Sequence, residues 1–171
     1  MALNITQEQL DSVGLSDKES FIEELTANVM QENPTLTKFW PQKLFRVLVA
    51  YGIDRATIAH GFTRDSDVSL FVSIMFSVGP DFDQNPVLLS GLRDTSLSMD
   101  DRWEKLSEDS QYTDAWGEAD GMEHQDNWFV EGRGNIKDAY PTTYQEPGFI
   151  ELYEKVRRER YPELRPGQSL P

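Results

Sequence analysis

The sequence predicts a mainly α protein: a small helical bundle, an irregular acidic segment, and a C-terminal helix packed on the same domain. Three observations carry that expectation. Apolar residues recur at helical spacing in separate stretches, namely Phe21, Ile22, Leu25 and Val29, then Leu44, Phe45, Leu48 and Val49, then Val68, Phe71, Val72, Met75 and Phe76. Capping residues and Gly or Pro stops punctuate those stretches. The 171 residues are 38% hydrophobic and 11% aromatic, which is enough apolar material to fill a core.

The elements follow in order. Thr6 to Val13 is expected to form a short helix ended by Gly14. Ser16 with Glu19 three residues on is a capping box, which opens a second helix that Asn33-Pro34 stops. A third starts near Pro41, which suits a first helical turn. Its apolar face continues through Tyr51, Ile53, Ala56 and Ile58 toward Ala59, with Gly61 as the stop. Gly52 weakens it by about 1 kcal/mol relative to Ala, and marks a kink or the close approach of a neighbouring helix.

The next helix follows Thr63 to Asp67, where acids suit the helix dipole. Its apolar face is expected at the centre of the core, and Gly79-Pro80 ends it. A turn-rich loop over 81–86 leads to a short helix from Val87 to Arg93. Ser98 caps a further helix that carries Trp103 and Leu106.

Residues 1–106 are thus expected to form the helical core, and 107–146 an irregular, acidic, aromatic-bearing segment punctuated by glycines. Residues 147–171 carry a last helix and a tail. In that helix Phe149, Ile150, Tyr153 and Val156 share a stripe, basic residues gather in the final turns, and Pro162 is the stop.

Composition excludes several classes. Asp plus Glu is 30 and Lys plus Arg is 16, a net charge of −14. That balance argues against nucleic acid, which requires a basic footprint, and suits a basic partner. The absence of cysteine excludes disulfides, thiolate catalysis and Cys-based zinc sites. Two histidines cannot build a multi-histidine metal site. The most apolar run, Val68 to Val78, falls short of the roughly 20 residues that a membrane span needs. The N-terminus lacks the basic start and long apolar stretch of a secretory signal, so a cytoplasmic location is expected.

Candidate site residues are few. Asp81-x-Asp83-x-Asn85 resembles the start of a calcium loop, but Pro86 and Leu92 stand where that loop needs Gly and Glu. Asp81 and Asp83 read instead as turn and capping residues that accept backbone N–H groups. His60, beside Gly61, reads as a cation at a helix C-terminus. Between Asp100 and Asp126 ten acids stand against Arg102 and Lys105.

In and just after that stretch, Asp114, Glu118, Asp120, Glu123 and Asp126 accompany Trp116, Trp128 and Phe129. Three readings stand: the functional one is a cation site or acid/base pair, and the one adopted for partner binding is a surface that docks a basic, aromatic-tolerant protein. The third and plain one is a solvated acidic face. Trp40 and Trp103 read as core, Trp116 and Trp128 as interface anchors. His124 lies beside Glu123, but no nucleophile is marked, and G-x-S-x-G, P-loop and H-E-x-x-H motifs are missing. No catalytic residue, cofactor or metal is therefore expected.

A resemblance adds to this. Residues 51–83 carry Tyr51-Gly52-Ile53, Arg55-Ala56, Asp67-Val68, Phe71-Val72, Met75-Phe76 and Gly79-Pro80-Asp81-Phe82-Asp83. With the Phe21-Ile22 segment, this pattern resembles small helical proteins encoded among bacterial type VI secretion effector genes, beside spike and PAAR-type proteins. The likeness spans about residues 5–106 and departs after about 107. It implies a non-catalytic adaptor or chaperone that binds an effector, or a spike protein of VgrG or PAAR type. It implies no catalytic residues. The alternative is a cytoplasmic immunity protein that blocks a toxin through the acidic surface.

Overall fold

A computed structural model describes residues 7–120, 128 and 148–160. Among the described residues there are eight α-helices and no strand, so the chain is a mainly α helical protein. The helices are α1 (Gln7–Glu32), α2 (Pro34–Thr37), α3 (Gln42–Asp54), α4 (Asp65–Ser77), α5 (Pro86–Leu92), α6 (Met99–Glu108), α7 (Thr113–Ala119) and α8 (Phe149–Arg160). No helix among the described residues is long and apolar enough to cross a membrane.

α1 corrects one expectation. It runs unbroken through Gly14 and Ser16, where a stop and a new start were expected. The physical reason is cooperativity. One interior glycine costs about 1 kcal/mol, whereas ending a helix and starting another requires a second unfavourable nucleation. Ile22, Leu25 and Val29 are buried from α1, and the hydroxyl of buried Thr26 donates to the Ile22 carbonyl at 2.6 Å.

The core is arranged around α3. Leu44, Phe45, Val47, Leu48, Val49, Tyr51 and Ile53 are all buried, which leaves α3 only a narrow outer stripe through Lys43, Arg46 and Asp54. α1, α4 and α8 pack against it. Gly52 is where α4 comes closest: a Cβ there would stand 3.0 Å from Val72 Cγ2 and 3.2 Å from Met75 Sδ. Of the two readings of Gly52, close approach is the one observed. From α4, Val68, Phe71, Val72, Met75 and Phe76 are buried as expected, although the helix that touches most neighbours is α3. Lys18 pairs with Asp54 at 2.8 Å, and Arg46 pairs with Glu19, tying the outer surface of α1 to α3.

The C-terminal end of the expected 41–59 helix differs in kind. After Asp54 the α-helix gives way to a π-helical turn, Arg55–Ala59, and Gly61 ends it with φ +69°. That left-handed conformation is the usual helix stop, and glycine takes it without a steric penalty.

The second half of the bundle is made of short helices. Asn85 caps α5, accepting from the backbone N–H groups of Val87 and Leu88 at 3.0 and 3.4 Å. Ser98 caps α6 by accepting from Asp101 N–H, as its sequence signal indicated. Beyond Glu108 the expectation of irregular structure fails for residues 110–119. A 3₁₀ turn, Ser110–Tyr112, leads straight into α7. Asp109 accepts from Gln111 N–H at 3.0 Å, and the burial of Tyr112 and Ala115 holds the turn down. The cause is tertiary packing, which overrides the weak periodicity of that stretch. In α8, Tyr153 and Val156 are buried, as the stripe required. Pro162 and the tail lie outside the described residues.

Candidate functional site

Two polar clusters and one acidic face stand out. The first cluster is buried. Asp83 is 4% exposed, and Arg55 grips it with two nitrogens, Nε to Oδ2 at 3.1 Å and Nη2 to Oδ1 at 2.6 Å. Arg55 Nη1 also donates to the Pro80 carbonyl at 2.7 Å and to the Tyr51 hydroxyl at 3.3 Å. His60 Nε2 meets Asp83 Oδ2 at 2.6 Å. A carboxylate already held by Arg55 can only accept, so Nε2 carries the proton of this bond.

This cluster corrects two sequence expectations. Asp83 does not cap a helix; Asn85 does. His60 does not neutralise a helix end; it donates to Asp83. The π turn is the reason. In an α-helix, residues five apart point about 140° away from each other, so Arg55 and His60 would face different ways. The wider π turn starts at Arg55 and is capped by His60, and here both side chains reach Asp83. Sequence periodicity carries no mark of a π turn, and no local signal announced this site.

An Asp–His pair is one component of many catalytic sets. Here the His60 side chain is only 2% exposed and packs against the rings of Phe62 and Phe71 at 5.6 and 5.1 Å. Its Nδ1 has no hydrogen-bond partner among the described residues. The enclosed imidazole ties the π turn to the 79–83 turn.

The second cluster joins α4 to α6. Arg64 donates to Asp67 at 2.7 and 2.9 Å and to Asp100 at 2.8 and 3.3 Å, while Trp103 Nε1 donates to Asp67 at 3.2 Å. The hydrogen bonds to Asp67, then to Asp100, raise the Arg64 pKa above its ordinary value. The same contact with Arg64 lowers the Asp100 pKa.

The acidic face lies on α6 and α7. Asp100, Asp101, Glu104, Glu108, Asp109, Asp114, Glu118 and Asp120 are all exposed. Asp100, Glu104 and Glu108 follow one another at four-residue spacing along α6, and Asp114 and Glu118 do so on α7. Arg64 pairs with Asp100, while the two cations within the stretch, Arg102 and Lys105, are turned aside. Arg102 donates to the carbonyls of Leu92 and Leu97, and Lys105 stands 3.8 Å from Asp94. Like charges four apart weaken a helix, so α6 and α7 keep this charge at a cost in their own stability.

Of the sequence-predicted partner residues, Asp114, Glu118 and Asp120 therefore lie on this face, with Glu118 accepting from Asn85 Nδ2 at 3.1 Å. Trp116 is half-buried rather than presented. Its ring stacks on Phe82 at 5.9 Å, and its Nε1 donates to the Leu106 carbonyl at 2.7 Å. Trp128 corrects the expectation of an interface anchor. It is fully buried against Phe76 at 5.0 Å and Tyr51 at 6.2 Å, and its carbonyl accepts from the Tyr153 hydroxyl at 2.7 Å. The physical reason is area: α3, α4 and α8 leave a space that a large aromatic fills, and burying an indole there outweighs displaying it. Glu123, His124, Asp126 and Phe129 lie outside the described residues. Among the described residues no group of three or more His, Asp or Glu is placed to hold a metal ion.

Comparison with protein-family models, with curated proteins and with solved structures finds no match to this chain. The likeness to type VI effector-gene proteins thus rests only on the residue pattern over 51–83 with the Phe21-Ile22 segment.

Proposed function

We propose that this chain is a non-catalytic protein-binding module whose α6–α7 face docks a basic surface of a partner protein. One observation carries the reading: eight exposed acids lie on α6 and α7 or at their C-terminal ends, and although Arg64 pairs with Asp100, the two cations among them, Arg102 and Lys105, are engaged elsewhere. Such a field steers a basic partner and raises its association rate. The finer role follows the resemblance: an accessory adaptor or chaperone for a type VI secretion effector or spike protein. A second reading has its own support. Most of the acidic face lies beyond about residue 106, outside the part that resembles that group. A distinctive surface suits an immunity protein that neutralises one cognate toxin in the cytoplasm.

The test is co-purification of the tagged chain from its native cell, beside a variant with Asp114→Asn, Glu118→Gln and Asp120→Asn. A spike or effector bound through its non-toxic region, and lost from the variant, is the adaptor outcome. A toxin bound through its catalytic domain, with toxicity abolished, is the immunity outcome. A partner retained equally by the variant, or unaffected by salt between low and high ionic strength, overturns the acidic face as the contact.

A further inference from the structure

Opposite in charge to that face is a groove between the 37–41 turn and α8, with a volume of about 330 Å³. Its lining is mixed: half-buried Leu152 and the edges of buried Trp40 and Val156 supply the apolar part, beside Thr37 and the charged rim. Phe39 forms one wall and is 49% exposed, the one aromatic among the described residues that leaves about half its surface to solvent. Lys38 and Lys155, both exposed, stand at the rim, and neither pairs with a carboxylate among the described residues. Glu159 is the groove's single acid. In a chain of net charge −14, two uncommitted ammonium groups beside a partly apolar slot are a local reversal of sign.

We infer that this groove is a second docking site, which takes a peptide segment of a protein partner bearing an aromatic or leucine anchor next to carboxylates. The volume lies at the low end of ligand sites, about 300–1,000 Å³, which suits one or two large side chains. The apolar part of the lining supplies the anchor's affinity, as the central pockets of protein interfaces do. The lysines select the flanking charge. They reward Asp or Glu beside the anchor, and the same charges repel the basic surface that the α6–α7 face attracts. The two surfaces therefore do not compete for one ligand.

The experiment pans a randomised dodecapeptide library, displayed on phage, against the full chain. A fluorescent copy of the recovered consensus is then titrated into variants. The expected consensus places Phe, Trp or Leu beside Asp or Glu. Its binding should weaken about tenfold or more with Phe39→Ser, and likewise with Lys38→Glu plus Lys155→Glu, while Asp114→Asn plus Glu118→Gln leaves it unchanged. The lysine pair is wholly on the surface, so it tests the site even if Phe39→Ser fails to fold. A basic consensus whose binding is lost with Asp114→Asn plus Glu118→Gln belongs to the α6–α7 face. Three outcomes overturn the inference: no enriched acidic consensus, an acidic consensus whose binding is indifferent to both groove variants, or a wild-type dimer that the lysine variant dissolves. The last would assign the groove to a second copy of this chain.

Discussion

Arg55 and His60, five positions apart, meet on the single carboxylate of Asp83. The π turn begins at Arg55 and His60 caps it, and both side chains reach Asp83. The result is a buried charge pair with a third donor, at the point where α3 ends and the turn leading into α5 begins.

A buried pair of this kind predicts asymmetric mutational costs. Asp83→Asn leaves the Arg55 guanidinium buried without its counter-charge and should cost about 3–5 kcal/mol in denaturant melts. Replacing both partners, as Arg55→Met with Asp83→Leu, should cost much less than the two single changes together. Additive costs would show that the two groups are not coupled.

Phe71 tests the core. It is fully buried and contacts the rings of Phe62 and Phe82 at 5.7 and 5.0 Å. Phe71→Ala should lose about 3–5 kcal/mol of stability. A loss below about 1 kcal/mol, the range of surface changes, would contradict this packing.

Gly52→Ala sets two effects against each other. Alanine gains about 1 kcal/mol of helix propensity. Its methyl, however, would meet Val72 Cγ2 at 3.0 Å, and Val72 is branched and wholly buried, so it has little freedom to move. Overpacking of this kind costs about 1–3 kcal/mol, so the variant should be less stable and melt at a lower temperature. A stabilised variant would mean that α3 and α4 are further apart.

Acid stability follows from two carboxylates whose pKa values are lowered. Asp94 is lowered by hydrogen bonds from the Ser96 hydroxyl and backbone, and Asp100 by Arg64. A folded-state pKa below the unfolded value means that the stabilisation is present above the ordinary 3.8 and is lost as pH falls through the folded value. Stability should therefore fall as pH drops below about 4. Asp100→Asn should flatten that part of the curve, as read from melts between neutral and strongly acid pH. An unchanged acid limb would show that Arg64 and Asp100 do not pair in solution.

Much of the bundle was legible in the sequence because its signals are local. The Ser98 cap, the Gly61 and Gly79-Pro80 stops and the apolar stripes of α3, α4 and α8 each act within a turn or two of the chain. The misreadings have a common cause. Gly14 carries the local signal of a stop, yet one weak position does not outweigh the cooperativity of a long helix. Residues 110–119 lack periodicity, yet Tyr112 and Ala115 find partners far away in sequence. The candidate acidic residues were visible by composition; their alignment along α6 and α7 was not, since it depends on those helices forming.

The sequence by itself determined the helical class, the acidic balance and the chemistries excluded by missing cysteine and sparse histidine, because those depend on residue type and short spacing. Only the tertiary structure decided that Trp128 belongs to the core and that Asp83 belongs to Arg55 and His60. It also decided that Phe39, Lys38 and Lys155 gather with α8 around one groove. Each of these is a meeting of side chains about 20 to 120 residues apart, or across a π turn. Such meetings are settled by which surfaces the packed helices bring together, a quantity that no window of sequence contains.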